Sequence, residues 1–389
     1  EEYVKFKRDA QKEVNYLVKE FERRKSAGAY ARATTSRTGI LDTKNLHTYK
    51  FNEDLFKKVT LLPDGKNHGL VFVLDWSGSM SREMLDTIKQ LYNLIWFCTK
   101  LQIPFEVYAF TQCFPNQDEV TGEMETSYEP KDGVFAVDRN FSLMNLFTSK
   151  VRGKKLDEQL KNLFTIVGSF SNYEAQKVVP LGMGLSGTPL NESIVTLHKI
   201  IPQFRKENNV EKVNCVILTD GEAYPLHYHH EVHRSWEDEP YLGTRSVGSN
   251  CLLRNRKTGK TYKSGVHYSD FTPILLRDIG DTLPDVNFIG IRIMPSRELS
   301  SFLRQNSEDW NSPEIEKQRA IWKKTKTVAL RGTGYDIYFG LCSSSLSNDA
   351  EFEVDEDATK SQIKRAFTKS LSAKKMNKKI LSQFVDLIA

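Results

Sequence analysis

The sequence has no apolar run near the roughly 20 residues that a membrane-spanning helix needs. Only five of its 389 residues are cysteine, and these are scattered without a Cys-x-x-Cys pair. This spacing excludes a disulfide framework and a zinc knuckle, and it favours a reducing compartment. The formal net charge of +5 is too small to indicate a nucleic-acid partner. We therefore expect a protein with no membrane span and no nucleic-acid partner.

Short apolar runs alternate with amphipathic stretches through most of the chain. The run at 70–74 is bounded by turn residues and favours a strand buried on both faces. Similar runs predict strands near 105–110, 213–218, 286–294 and 335–342. Helices are predicted near 1–25, 82–100, 141–151, 155–168, 188–208, 271–281, 314–330 and 359–388. This alternation predicts an α/β fold with three layers and a mostly parallel central sheet.

The same pattern predicts how the chain is divided. We expect a helical lead-in at 1–68, one α/β domain at 69–345 with insertions at about 112–180 and 222–268, and a basic helix at 346–389. The last helix is rich in lysine, so it could bind nucleic acid or a membrane surface. Its apolar side favours a packed helix with a solvated basic face.

Five oxygen-bearing side chains fall beside the predicted carboxyl ends of strands, where open α/β sheets bind ligands. Asp75, Ser77 and Ser79 follow the first buried strand, Thr188 opens a later helix, and Asp220 ends another strand. Two carboxylates with three hydroxyls are the ligands that a hard dication such as Mg²⁺ prefers.

Each of these segments also has an ordinary structural interpretation. Asp75 and Ser77 could be turn residues, and Thr188-Pro189 has the chemistry of a helix N-cap followed by its first residue. Gly78 is expected to let the loop bend so that both serines point inward. The order of all five residues on the expected elements favours the metal site.

The pattern D-x-S-x-S, then a distant threonine and a T-D-G turn, resembles the von Willebrand factor A (VWA) family. The resemblance covers about 69–345 and implies a Rossmann-like fold with a metal-ion-dependent adhesion site (MIDAS). It implies that Asp75, Ser77, Ser79, Thr188 and Asp220 hold Mg²⁺, with Mn²⁺ or Ca²⁺ as alternatives. It also implies that an acidic residue of a partner protein completes the coordination.

Within this family the chain looks most like the VWA-type subunit of cobaltochelatase and its tailed-phage relatives. The segments that carry this likeness are 39–42, 74–80 and 185–190. The resemblance implies a non-catalytic adaptor that works with a MoxR-like AAA+ ATPase hexamer in the cytoplasm of a bacterial or phage-infected cell. The alternatives are a chelatase subunit of a metal-insertion complex and a phage structural or adhesion module.

Four of the eight histidines, His227, His229, His230 and His233, lie within seven residues. A helix would place His229 and His233 on one face, which suits a transition metal. The spacing is one residue short of H-E-x-x-H, and the flanking residues favour an irregular loop that contacts a partner.

No catalytic motif stands out in the rest of the chain. Gly259-Lys260-Thr261 imitates the end of a phosphate-binding loop, but Arg254 occupies the position of the first glycine and the segment favours a hairpin. Ser77 lies in D-W-S-G-S, which is not a nucleophile elbow. We therefore expect any ATP hydrolysis to come from another chain.

Overall fold

The computed structural model describes fourteen segments of the chain. They are 2–31, 34–41, 56–61, 68–112, 129–137, 141–170, 179–180, 182–220, 223–233, 236, 239–248, 251–263, 271–307 and 312–342. The predicted basic helix at 346–389 lies outside the described residues.

A seven-stranded sheet forms the centre of the fold. Its strand order is β13-β14-β12-β7-β3-β4-β6, with five parallel strands in the middle and an antiparallel strand at each edge. The strands are β3 (His68–Asp75), β4 (Phe105–Thr111), β6 (Ser142–Thr148), β7 (Lys212–Leu218), β12 (Val286–Met294), β13 (Thr327–Leu330) and β14 (Ile337–Cys342).

Helices cover both faces of this sheet. The helices are α1 (Glu2–Ala31), α2 (Met84–Leu101), α3 (Gly153–Ser169), α4 (Leu190–Asn208), α5 (Phe271–Thr282), α6 (Leu299–Gln305) and α7 (Pro313–Thr325). Buried residues of α1, α2 and α3 pack on one face, and those of α4, α5, α6 and α7 pack on the other. The three-layer α/β prediction is therefore confirmed.

The double burial explains the unbroken apolar run of β3. Leu70, Phe72 and Leu74 enter the core beneath α1, α2 and α3, whereas Val71 and Val73 enter the opposite core. A strand buried on both faces needs apolar residues at every position, because its side chains alternate between the two cores.

The amino-terminal helix packs on the same body. The ring of Phe6 lies 5.6 Å from that of Trp96 and 5.9 Å from that of Phe164. Its apolar stripe follows the predicted periodicity, and the helix continues to Ala31. The hairpin that follows, β1 (Thr34–Leu41) with β2 (Phe56–Leu61), was not predicted.

Two predicted helices are wrong in part. Residues 142–148 form strand β6 instead of a helix, because they pair with β4, and Asn145 there donates a hydrogen bond of 2.6 Å to Glu106. The helix predicted at 314–330 ends at Thr325, since Lys326 adopts a left-handed φ of 56° and β13 follows. In both places contacts with a neighbouring strand override the local helical pattern.

The described parts of the predicted 222–268 insertion form two small sheets, one of them together with a short strand from the predicted 112–180 insertion. A three-stranded sheet has the order β5-β8-β9, from β5 (Phe135–Ala136), β8 (His227–Val232) and β9 (Tyr241–Ser246). The predicted hairpin is present as β10 (Leu252–Arg254) with β11 (Thr261–Lys263).

No helix among the described residues is long and apolar enough to cross a membrane. No disulfide joins the cysteines in the described segments, which are Cys98, Cys215, Cys251 and Cys342.

Candidate functional site

The carboxyl ends of β3 and β7 bring two of the predicted residues to one edge of the sheet. Leu74 pairs with Leu218 across the two parallel strands, so the next residues, Asp75 and Thr219, lie side by side. Oγ1 of Thr219 donates a hydrogen bond of 2.8 Å to Oδ2 of Asp75. Asp220 follows directly and is half-buried.

Asp75 is the most buried polar group of this edge, with no exposed surface. Its Oδ1 atom is also buried and has no hydrogen-bond donor in bonding geometry among the described residues. Burial, followed by the negative charge of Asp220, raises the pKa of Asp75 from 3.8 to about 7, and contacts with Ser77 and Thr219 offset this in part. Within the described segments, no positive charge is among the groups that shift the pKa of Asp75, so the ionised carboxylate lacks a counter-charge there.

The two predicted serines lie in the turn after β3. Ser77 is buried in an extended conformation and precedes a short 3-10 helix, Gly78–Arg82. Oγ of Ser77 lies 2.9 Å from Oγ of Ser79, which is exposed. The pair of hydroxyls thus presents two oxygens close together, one on the protein side and one on the solvent side.

Backbone contacts hold the Thr188 loop against this turn. Ser77 and Ser186 form a parallel bridge, and the amide of Gly78 donates a hydrogen bond of 2.8 Å to the carbonyl of Ser186. Nε1 of Trp76 donates another, also 2.8 Å long, to the carbonyl of Met183. These bonds bring residues 183–188 alongside residues 76–78, more than a hundred positions earlier in the chain.

Thr188 is buried in this loop, but it does not cap the helix. Helix α4 begins at Leu190, Pro189 occupies the cap position, and no side-chain cap hydrogen bond forms. The carbonyl of Thr188 instead accepts hydrogen bonds from the amides of Leu190 and Tyr224, at 2.9 and 3.3 Å. The N-cap interpretation of the Thr188 side chain is therefore wrong.

The glycine of this loop that has neighbours in its way is Gly187. A Cβ atom there would overlap the side-chain amide of Gln112 and lie 2.8 Å from the ring of Tyr224. At Gly78 the nearest atom to an added Cβ would be the carbonyl oxygen of Ser186, 3.8 Å away, and the φ angle is not left-handed. The predicted need for glycine at position 78 is wrong, because an alanine fits there without strain.

Further charged residues surround the edge and were not predicted. Burial and the charge of Glu298, with a smaller contribution from Asp220, raise the pKa of Glu83. Arg292 lies near the end of β12, is 7% exposed, and pairs with Glu298 at 3.3 Å. No local motif marks these residues, since their proximity to Asp220 depends on the strand order.

The histidine segment is a strand and not the predicted irregular loop. His227, His229 and His230 belong to β8, and His233 follows its end. His229 is buried, whereas His227 and His233 are exposed, so the helical face shared by His229 and His233 does not form. Nδ1 of His230 lies 3.7 Å from Asp132, and Nε2 of His233 lies 3.3 Å from Glu231.

No cluster of three or more His, Cys, Asp or Glu side chains suited to a metal occurs in the described segments. The candidate site at the sheet edge would not count as such a cluster, because three of its five predicted ligands are the hydroxyls of Ser and Thr.

Comparisons with known proteins name no family for this chain. No protein-family profile matches it, and neither does any curated protein. Among solved structures, the pilus adhesin SpaC from Lactobacillus rhamnosus GG, in its open conformation, is 13% identical, with a TM-score of 0.32 over 65% of this chain and 28% of the adhesin. Proximal thread matrix protein 1 from the mussel byssus is 9% identical, with a TM-score of 0.28 over 68% of this chain and 49% of that protein. The chain thus spans less than half the length of either, and at these TM-scores the likenesses carry no argument.

Proposed function

We propose that the edge formed by Asp75, Ser77, Ser79, Thr188 and Asp220 binds Mg²⁺, with Mn²⁺ or Ca²⁺ as alternatives, in order to capture an acidic residue of a partner protein. The observation that carries this proposal is the buried Oδ1 of Asp75, which has no donor in bonding geometry among the described residues although a second carboxylate lies nearby. Such an arrangement is costly without a cation, and a bound dication removes the cost.

The chemistry of the residues fits this group. Hard cations prefer oxygen ligands, and the five side chains provide two carboxylates and three hydroxyls. Asp75 and Asp220 would supply charge, while the hydroxyls of Ser77, Ser79 and Thr188 would supply neutral oxygens. When bound, the cation supplies a concentrated positive charge for a carboxylate that approaches from solvent.

The chain's own residues prepare this contact. The hydrogen bond from Thr219 fixes one oxygen of Asp75, which leaves the other oxygen available. The bonds from Gly78 and Trp76 hold the Thr188 loop in place before any partner arrives. Ser79 and Asp220 are at least partly exposed, so a partner carboxylate can reach this side of the site.

In the same proposal the protein acts as an adaptor for a MoxR-like AAA+ ATPase, which would pull or remodel the captured client. The resemblance of the motif segments supports this part. Gly259-Lys260 lies at the tip of the hairpin β10–β11, so this segment is not a phosphate-binding loop.

Cation binding is tested by isothermal titration of the metal-free protein with Mg²⁺. We expect one site in the wild type and none in Asp75→Asn, because the substitution removes a ligand charge at nearly constant volume. Asp285→Asn is the matched control, since Asp285 is exposed and pairs only distantly with Arg205 at 3.9 Å. Equal binding by Asp75→Asn and the wild type would overturn the metal site.

The adaptor role is tested separately by affinity capture from the native cell. We expect an AAA+ ATPase, identified by mass spectrometry, to co-purify with the wild type and Asp285→Asn, and to be lost with Asp75→Ala. Retention of the ATPase by Asp75→Ala would show that the metal is not its point of attachment.

A further inference from the structure

Strand β9 ends the three-stranded sheet with an exposed edge. It pairs with β8 through an unbroken antiparallel register from Tyr241 opposite Val232 to Ser246 opposite His227. Five of its six residues are exposed, and no strand in the described segments pairs with its other side.

Backbone hydrogen bonds fix the direction of each amide and carbonyl in this small sheet. The amide and carbonyl of His229 bond to Val134 and Gly133 on the β5 side of β8. In an antiparallel strand, the amide and carbonyl of successive residues point to opposite sides. Tyr228, His230 and Val232 therefore direct their amides and carbonyls towards β9. Their partners on β9 are therefore Arg245, Gly243 and Tyr241, and the amide of Val247 continues this series by donating to Leu226. It follows that the amides and carbonyls of Leu242, Thr244 and Ser246 point away from the sheet.

This edge carries few of the features that keep exposed strands from pairing. Natural edges carry lysine, proline, a bulge or an inward-pointing charge. Strand β9 has no proline or lysine, and its register with β8 contains no bulge. Its only charged residue is Arg245, while Tyr241 and Leu242 are 37% and 41% exposed.

We propose that β9 pairs with β9 of a second copy of this chain, in antiparallel register about a two-fold axis at Thr244. The two small sheets then join into one sheet of six strands. The occupant is a second copy because the strand is complementary to itself in this register. Leu242 lies opposite the partner's Ser246, Thr244 lies opposite its equivalent, and all three outward residues of each strand find backbone partners.

The charge of Arg245 selects this register over its neighbours. In the register centred on Thr244, Arg245 lies opposite the partner's Gly243, which has no side chain to obstruct it. Moving the axis to Arg245 would place two guanidinium groups opposite each other, which is destabilising. Moving it to Gly243 would leave Ser246 unpaired, because only Leu242 and Thr244 would then face each other. The inference is independent of the candidate metal site.

The test measures the mass of the full chain by light scattering, from about 5 to about 200 µM, since dimers form by mass action. We expect the wild type to rise from 44.7 kDa towards twice that mass. Thr244→Pro should remain monomeric, because it removes an outward amide that β8 does not use, and proline is tolerated at an edge strand. Thr244→Val keeps the amide and should dimerise as the wild type does. A wild type that stays monomeric throughout, or a folded Thr244→Pro that still dimerises, would overturn the proposal.

Cross-linking tests the register without relying on proline. Residues opposite each other in a hydrogen-bonded antiparallel pair have Cα atoms about 5.5 Å apart, within the range of a disulfide. Thr244→Cys should therefore oxidise to a covalent dimer faster than wild type. Leu242→Cys or Ser246→Cys alone should not, because each lies about 14 Å from its own copy along the strands. Equal rates for the three variants, or pairing of the strand with a different protein instead, would contradict the self-paired register.

Discussion

Oγ1 of Thr219 donates a hydrogen bond of 2.8 Å to Oδ2 of Asp75, across 144 positions of the chain. Asp75 ends β3, and Thr219 directly follows β7, so the bond joins two parallel strands at their carboxyl ends. It fixes one oxygen of the carboxylate, while the other is buried and has no donor in bonding geometry within the described part of the chain.

Removal of this hydroxyl should weaken both the fold and the candidate metal site. In Thr219→Val, Asp75 loses a hydrogen bond to a charged group, which typically costs about 2 kcal/mol of the free energy of unfolding. We expect this loss in urea denaturation of the metal-free protein, together with weaker Mg²⁺ binding by titration. Thr219→Ser keeps the donor and should stay near the wild type. If Thr219→Val and Thr219→Ser bind Mg²⁺ equally well, the Thr219 hydroxyl does not orient the Asp75 carboxylate for the metal.

The metal-free protein should lose stability as the pH rises. The folded state raises the pKa of Asp75 from 3.8 to about 7, so it binds a proton more tightly than the unfolded chain does. The free energy of unfolding therefore falls between these pH values and levels off above pH 7. In chelator, the melting temperature of the wild type should drop from pH 5 to pH 8 by more than that of Asp75→Asn. Parallel pH profiles of the two proteins would rule out Asp75 as the source.

Mg²⁺ should reverse this trend. Protons compete with the cation for Asp75, so Mg²⁺ should raise the melting temperature more at pH 8 than at pH 5. The same melting experiment with and without Mg²⁺ measures the difference. Asp75→Asn should show no Mg²⁺-dependent shift at either pH, whereas Asp285→Asn should match the wild type.

Two glycines of the site should respond differently to alanine. Gly187→Ala places a methyl group against the side chains of Gln112 and Tyr224, so either these side chains or the Thr188 loop must shift, and we expect Mg²⁺ affinity to fall. Gly78→Ala meets its nearest atom at 3.8 Å and should bind Mg²⁺ as the wild type does. Gln112→Ala combined with Gly187→Ala should recover part of the affinity, because it removes the nearer obstruction. Equal loss in both single variants would show that the loop contacts are misassigned.

The amino-terminal helix should loosen when Asp157 is neutralised. The hydroxyl of Tyr3 and the ammonium of Lys7 each lie 2.6 Å from Oδ1 of Asp157, and these contacts lower the pKa of that carboxyl. Asp157→Asn should speed proteolysis within 2–31 at low protease concentration, with a modest effect because the ion pair is partly exposed. Asp9→Asn, which affects an exposed residue, is the control and should leave the cleavage rate unchanged. If Asp157→Asn and Asp9→Asn are cleaved at the same rate, the contacts of Tyr3 and Lys7 with Asp157 do not help to hold helix α1 on the domain.

The sequence determined the elements whose signal is local. The apolar run of β3 and the apolar stripe of α1 can each be recognised from the sequence. A strand buried on both faces is apolar at every position, whereas a helix buried on one side is apolar at every third or fourth position. The motif D-x-S-x-S and the T-D-G turn also placed Asp75, Ser77, Ser79 and Asp220 at or just beyond the carboxyl ends of two strands, which the structure reproduces for β3 and β7. Their proposed role as metal ligands remains a prediction.

The tertiary structure decided everything that depends on which strands are neighbours. Strand β6 was predicted as a helix because its pairing with β4 leaves no mark in its own residues. The bond from Thr219 to Asp75 requires the register of β3 with β7, and the ion pair of Arg292 with Glu298 lies near Asp220 only because β12 follows β7 in the sheet. Local sequence fixes a residue's own backbone and the face it prefers, whereas register and strand order arise from packing between segments far apart in the chain.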